Sequence, residues 1–470
     1  MKAKNKPNFT TGPLFFRIFF FVVPIMLTGI LQVAYNMADH IVVGRYSGDA
    51  DALAAVGSTS ALTTLIVNFL MGLATGGGIV VAQFVGAKRE KEVSTTVHTS
   101  MCLSVIGGIL FMLIGLLVSE PALILMKTKD DILVKAVLYI RIICAGIPAS
   151  AVYNFGAAIL RSVGDSKTPL FILTASGITN VLFNFLFVVG CGMAVEGVAI
   201  ATIISQYLSA IAVVVVLINR KGNCYALIPK NVRINKNILL RILRFGVPTG
   251  IQSSLFAVTN VFITSAANVF DKTVVSAKTI AANVDNIVFV AVDGYQHAAM
   301  TFIGQNRGAD KNERISRSLW YLLSQVTAVG ILTGAVLRIF GTQVASLFMP
   351  SDVENKAAVI SYALDIMKVM LSMYFLCGIF STLSGALRAL DFSMFSMVAS
   401  LVGLVVRTIW VLAIFPLPQF KTVERLYWSY PISWSISIMC AVVMFVYVWR
   451  KLEIGKKARA ERAQMKLKES

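Results

Sequence analysis

Long apolar stretches of about 20 residues, the length an α-helix needs to cross a bilayer, succeed one another from near the start of the chain to near its end, separated by short charged or Gly/Pro-containing segments. Twelve spans are predicted, near 14–38, 53–82, 96–118, 132–160, 169–190, 195–218, 241–268, 275–303, 316–341, 357–386, 393–416 and 427–449. No ten-residue alternating pattern is present, which argues against a β-barrel. The first apolar run follows Lys2, Lys4 and Lys6 but has no small-residue cleavage site, so it reads as a retained helix.

The spans are written twice. Gln-x-x-Gly-Ala occurs at 83–87 and 305–309, Val23-Pro24 is echoed by Val247-Pro248, and Leu160-Arg161 by Leu387-Arg388. Six spans precede a long basic loop with Gly222, Asn223 and Pro229, and six follow it. The predicted organisation is a first half at 1–218, a linker at 219–240, a second half at 241–450 and a basic tail at 451–470. Two related halves are a common way to build a mid-membrane cavity that opens alternately to each side. Pro24 and Pro248 each free a backbone carbonyl and favour a helix bend. Gly72, Gly76, Gly77 and Gly78 read as close-packing positions.

Composition agrees with a membrane protein: 57% hydrophobic and 14% charged residues, with a mean hydropathy of +0.77. The net charge of +19 invites a nucleic-acid reading, but its placement does not support one. Lys and Arg concentrate on one side of the predicted spans: both termini, Lys88, Arg89, Lys91, and the segments 220–244 and 307–317. The other side carries Asp49, Asp51, Asp130, Asp131, Asp352 and Glu354. That asymmetry predicts a multi-pass plasma-membrane protein with both termini cytoplasmic and the basic tail near anionic lipid headgroups. The six cysteines form neither CxxC nor a His/Cys cluster, which argues against a metal site or a disulfide framework.

Polar residues inside spans are costly and therefore candidates for function. Gln32, Tyr35, Asn36 and Asp39 share one helical face of the first span. The fifth span adds Asn180 and Asn184 at i and i+4, and the sixth adds Thr202. Their oxygens suit convergence with the carboxylate around a proton or a small hard cation. The alternatives are an interfacial Asp39 that solvates a helix end and asparagines that staple helices together. Counting from the paired prolines, Asp39 corresponds to Ile263, and Asn180 falls opposite Arg407. The carboxylate is thus absent from the second copy. Asp285, Asn286, Asp293 and His297 on the eighth span read as a second proton site or as cavity polarity, and Arg407 as a structural ion-pair partner.

These residues resemble the multidrug and toxic compound extrusion (MATE) transporters. The resemblance is carried by 39–44 (Asp-His-Ile-Val-Val-Gly), 72–86, the segment Leu-Arg-Ser-Val-Gly-Asp-Ser-Lys-Thr-Pro at 160–169, Asn180-Val-Leu-Phe-Asn184, 304–309 and Trp428-Ser-Tyr-Pro-Ile-Ser433. It implies an all-α fold of twelve transmembrane helices in two pseudo-symmetric six-helix lobes forming a V-shaped central cleft. It also implies export of amphipathic, often cationic small molecules by H⁺ or Na⁺ antiport, with no other cofactor. The ion site carried over by motif falls on Asp39, Asn180, Asn184 and Thr202. The family position matching Asn184 often holds aspartate, so this chain has one carboxylate fewer. Members with acids in the second lobe have them near the positions of Phe256 and Cys377 here.

The expectation is therefore a transporter, with Gln32, Tyr35, Asn36, Asn154, Asn260 and Asp293 as the polar cleft lining and Pro24 as the bend. Its partners are small-molecule substrates and membrane lipids, with no nucleic acid, and it is expected to act as a monomer. A flippase for lipid-linked oligosaccharides or precursors is the alternative; it would call for a more cationic cavity. No HExxH, GxSxG or Walker sequence is present, which disfavours an enzyme or an ATP-driven pump.

Overall fold

The computed structural model describes residues 9–46, 50–126, 128–349, 355–454, 457, 460 and 461. Among them every regular element is helical. The first copy comprises α1 (Leu14–Tyr46), α2 (Ala50–Gly86), α3 (Glu90–Leu125), α4 (Asp130–Ser162), α5 (Lys167–Asn184) and α6 (Val195–Asn219). The second comprises α7 (Lys236–Ala267), α8 (Lys272–Gly308), α9 (Asn312–Leu347), α10 (Lys356–Ser372), α11 (Tyr374–Ala389), α12 (Ser393–Ile409), α13 (Val423–Tyr427) and α14 (Ser429–Lys451). A π-helical turn extends α5 over Phe185–Gly190, and another extends α12 over Trp410–Ile414. The chain is an all-α, multi-pass membrane protein. Lys2, Lys4, Lys6, Asp49, Asp352, Glu354 and most of the 451–470 tail, which the orientation reading uses, lie outside the described residues.

Among the described residues ten helices are long and apolar enough to cross a bilayer, and the pair α10 and α11 makes an eleventh as one span bent by 42°. The span expected at 357–386 is therefore broken, at Met373. The break seats against α9, where a Cβ on Gly330 would lie 2.6 Å from the Phe375 Cα and one on Gly334 2.9 Å from the Leu371 carbonyl oxygen. Helix α7 is diluted by Thr249, Gln252, Ser253, Ser254, Thr259 and Asn260, and so falls outside that set despite its 32 residues. Leu117, Leu125, Ile339 and Val443 are each at least 70% exposed. Side chains of this size turned outward along whole helices are stable facing lipid, not water.

The described residues form two compact units, one within 27–254 and the other within 9–26 and 255–461. The opening half of α1 thus packs in the second unit, and the opening half of α7 in the first. Within unit 1, α2 meets α7 backbone to backbone: a Cβ on Gly72 would stand 2.2 Å from the Gly250 nitrogen, and one on Gly76 2.5 Å from the Ile242 carbonyl oxygen. Within unit 2, Gly294 of α8 faces Val22 and Met26 of α1, at 3.1 and 3.3 Å from its would-be Cβ. The duplicated glutamines finish both contacts. Gln83 Oε1 accepts a 2.6 Å hydrogen bond from Arg241 at the start of α7, and Gln305 Oε1 accepts one of 3.1 Å from the Phe9 N–H just before α1.

Both copies of Gln-x-x-Gly-Ala end in the same C-terminal cap. Lys88 and Asp310 follow with φ of 57° and 52°. The next residues close the six-to-one bond of a Schellman turn, Arg89 N–H to the Phe84 oxygen at 3.0 Å and Lys311 N–H to the Asn306 oxygen at 2.9 Å. Helices α4 and α11 end alike. There Gly164 (φ 95°) and Asp391 (φ 78°) take the left-handed position.

Candidate functional site

Unit 1 encloses a cavity of about 500 Å³ between α1, α2, α4, α5 and α6. The shared face of α1 turns Gln32, Tyr35, Asn36 and Asp39 towards it, and α4 adds Asn154. Asn154 is oriented by its own helix, its Nδ2 donating to the Ser150 carbonyl oxygen at 2.9 Å. Tyr35 fits because position 177 is glycine: a Cβ there would lie 3.0 Å from the Tyr35 ring.

At one end of the cavity the predicted polar residues meet. Asn184 Nδ2 donates to Asp39 Oδ1 at 2.5 Å and makes a longer 3.3 Å contact with Asn180 Oδ1. Asn180 Nδ2 in turn reaches Thr202 Oγ1 at 3.4 Å. Asn180 and Asn184 are 1% and 0% exposed, so the network has no bulk water to fall back on. It nevertheless leaves one acceptor open, because the buried Asn184 Oδ1 has no hydrogen-bond partner. Among the described lining residues Asp39 is the one carboxylate and His40 the one basic side chain, with no Lys or Arg. A carboxylate, amide oxygens and a hydroxyl converging without a Lys or Arg among the described lining residues are the donor set of a hard-cation or proton site.

The sequence reading missed Tyr139, Tyr153 and Gln206, which also line the cavity. Gln206 stands four residues after Thr202 in a span whose other polar residues near it are Ser205, Tyr207 and Ser209, a polar pair that could have been found. The tyrosines give no such signal, since aromatic residues are common throughout apolar spans.

The other two cleft candidates belong to unit 2 and do not line this cavity. Asn260 is exposed on α7. Asp293 is paired along α8 with His297, at 3.4 Å from Nε2. Also in unit 2, Asp285 lies near the Tyr374 hydroxyl, and Arg407 donates through Nε and Nη2 to Ser433 Oγ at 3.1 and 2.8 Å. Pro24 lies inside α1, which continues as one helix through it. The unit boundary falls just beyond, between Met26 and Leu27.

A duplicated helical membrane fold with a polar cavity inside one copy defines a transporter. The MatE family model matches the chain twice, over residues 24–186 and 248–412, each match starting on one of the paired prolines. The chain belongs to the MatE family, whose members are transporters and not enzymes. It is 27% identical to the probable multidrug resistance protein YoeA of Bacillus subtilis, over 93% of this chain and 94% of that protein. It is 21% identical to the multidrug export protein MepA of Staphylococcus saprophyticus, over 97% and 99%. An outward-facing structure of a multidrug resistance MATE family transporter of the MOP superfamily shares the fold, with a TM-score of 0.86 at 20% identity, over 98% of this chain and 100% of that one.

Proposed function

We propose that this protein is a secondary active multidrug exporter that moves amphipathic, cationic small molecules outward in exchange for H⁺ or Na⁺. Asp39 carries the coupling, with Asn180, Asn184 and Thr202 completing the ion site. The observation that carries this reading is Asp39, the one carboxylate among the described lining residues of the unit 1 cavity, buttressed by Asn184 and with no Lys or Arg in that lining. The open Asn184 Oδ1 supports it by offering a further oxygen to an ion. The multidrug names of YoeA and MepA support the substrate class.

In this mechanism substrate enters while Asp39 is free of the coupling ion. Cation binding at Asp39 from outside bends α1 near Pro24, reshapes the lining formed by Gln32, Tyr35, Asn36 and Asn154, and lowers affinity for substrate. Asn260 and Asp293 contribute polarity from unit 2. Ion release inside resets the cycle. Each ligand must prefer a different state, and the coupling is reciprocal. A membrane potential supplies roughly 2.3 kcal/mol per net charge per 100 mV, about 50-fold when a neutral substrate leaves against one imported cation; with a monocationic substrate a one-for-one exchange moves no net charge, and the ion's concentration gradient drives it. The positive-inside pattern supports a plasma-membrane location with cytoplasmic termini and a basic tail at the lipid headgroups. The transporter acts as a monomer in this reading. A lipid diphosphate fits less well, since the cavity lining offers no Lys or Arg.

The test is uptake of a fluorescent cationic dye into inside-out vesicles under separately imposed proton and sodium gradients. Wild-type protein accumulates dye under one of them. Asp39→Asn retains dye binding and loses gradient-driven accumulation. Wild-type accumulation by Asp39→Asn would remove the residue from the mechanism.

A further inference from the structure

We propose that Arg407 is a built-in cation that takes, in unit 2, the place a mobile coupling ion takes in unit 1. Asp285 is its counter-charge, so this position of the second repeat takes up no ion of its own. This inference rests on the reading of Asp39 as an ion site.

The correspondence follows from the repeat. The 227-residue offset that relates Leu160-Arg161 to Leu387-Arg388 carries Asn180 onto Arg407. The 228-residue offset that relates Val195-Glu196 to Val423-Glu424 carries Thr202 onto Tyr430. A π-helical turn starts shortly after Asn180 and shortly after Arg407. The contact between the paired positions persists with changed chemistry. In unit 1 Asn180 Nδ2 lies 3.4 Å from Thr202 Oγ1; in unit 2 the Arg407 guanidinium carbon sits 4.1 Å from the centre of the Tyr430 ring.

A guanidinium inside a membrane lobe requires compensation. Ser433 Oγ and the face of Tyr430 supply neutral partners. The acid within electrostatic reach of Arg407 is Asp285 of α8, half-buried with its Oδ1 enclosed, and we assign it the compensating charge. Around Asp285 the titratable neighbours are Tyr374 and Cys377 of α11, Tyr427 of α13 and Tyr430 of α14, with Arg407 as the cation. Asp285 Oδ1 accepts no hydrogen bond. Without Arg407 this carboxylate would be an uncompensated charge and would have to take up a proton or a metal cation from solution. Unit 1 holds the opposite arrangement, a carboxylate whose cavity contains no Lys or Arg.

The experiment is thermal unfolding of full-length protein in detergent micelles, with NaCl exchanged for choline chloride at constant ionic strength and, separately, with pH varied from about 5.5 to 8. A cation that binds only the folded state raises the unfolding temperature. In the Asp39→Asn background, Arg407→Met is expected to add a rise of a few degrees with sodium or with acid that Arg407→Lys does not add. Adding Asp285→Asn abolishes it. The sodium and acid arms separate a metal cation from a proton. Equal cation dependence with and without the Arg407→Met substitution, or a gain that survives Asp285→Asn, overturns the inference. If Arg407→Met fails to fold, the Arg407→Met/Asp285→Asn pair decides: recovery of folded protein on removing both charges supports the pairing, and no recovery overturns it. Failure of the Asp39 reading shows separately, as equal cation dependence of wild type and Asp39→Asn.

Discussion

Replacing Asn184 with aspartate inserts the carboxylate this chain lacks at a measured position. In the native site the Asn184 amide nitrogen is 2.5 Å from Asp39 Oδ1. An oxygen there both removes a donor to a charged acceptor, about 1.5–3 kcal/mol, and sets two negative charges together. Even if the two groups relax to a 4 Å separation, their repulsion is about 4 kcal/mol at an effective dielectric constant of 20, close to a thousandfold in an equilibrium constant. A cation held between them relieves that repulsion, so Asn184→Asp is expected to bind the coupling cation at least ten times more tightly than wild type. It should also turn over more slowly, because release becomes the slow step. Proteoliposomes with imposed gradients give the half-saturating cation concentration and the maximal rate of dye transport. A half-saturating concentration equal to wild type, at unchanged protein yield, would refute the placement of the ion between residues 39 and 184.

Further predictions follow from packing and backbone conformation. Gly72→Leu drives a side chain into the α7 backbone around Thr249 and Gly250; it should abolish recovery of monodisperse protein by size-exclusion chromatography, whereas Gly57→Ala, whose added methyl meets nothing within 4 Å, should not. Gly177→Ala places a methyl 3.0 Å from the Tyr35 ring and should change the apparent affinity for dye several-fold while leaving the unfolding temperature within about a degree of wild type. Lys88→Gly removes a side chain from the left-handed conformation that position requires and should raise stability by about 1 kcal/mol, read as a higher unfolding temperature.

The spans were legible because the membrane forces a long apolar run on every crossing helix, and α1 to α6 fall where the hydropathy predicts. The break at Met373 was not, since Ser372-Met373-Tyr374 carries neither proline nor glycine; the glycines that lie against it, Gly330 and Gly334, are on another helix, α9. The four polar residues of the unit 1 network were legible as a face and an i, i+4 pair, though nothing in the sequence showed that Asn184, not Asn180, would contact Asp39 most closely. The tyrosines of the cavity were hidden among the chain's other aromatic residues. The repeated Gln-x-x-Gly-Ala announced a duplication, but its work is tertiary: each glutamine holds the chain at the opening of the other repeat's first helix.

That exchange of opening segments bears on how the molecule can be divided. A fragment stopping in the 219–240 loop would expose the glycine seam of α2, and its complement would lack the strip of α1 that lies against Gly294. The two fragments are therefore interdependent, and each becomes complete only when the other is made in the same membrane.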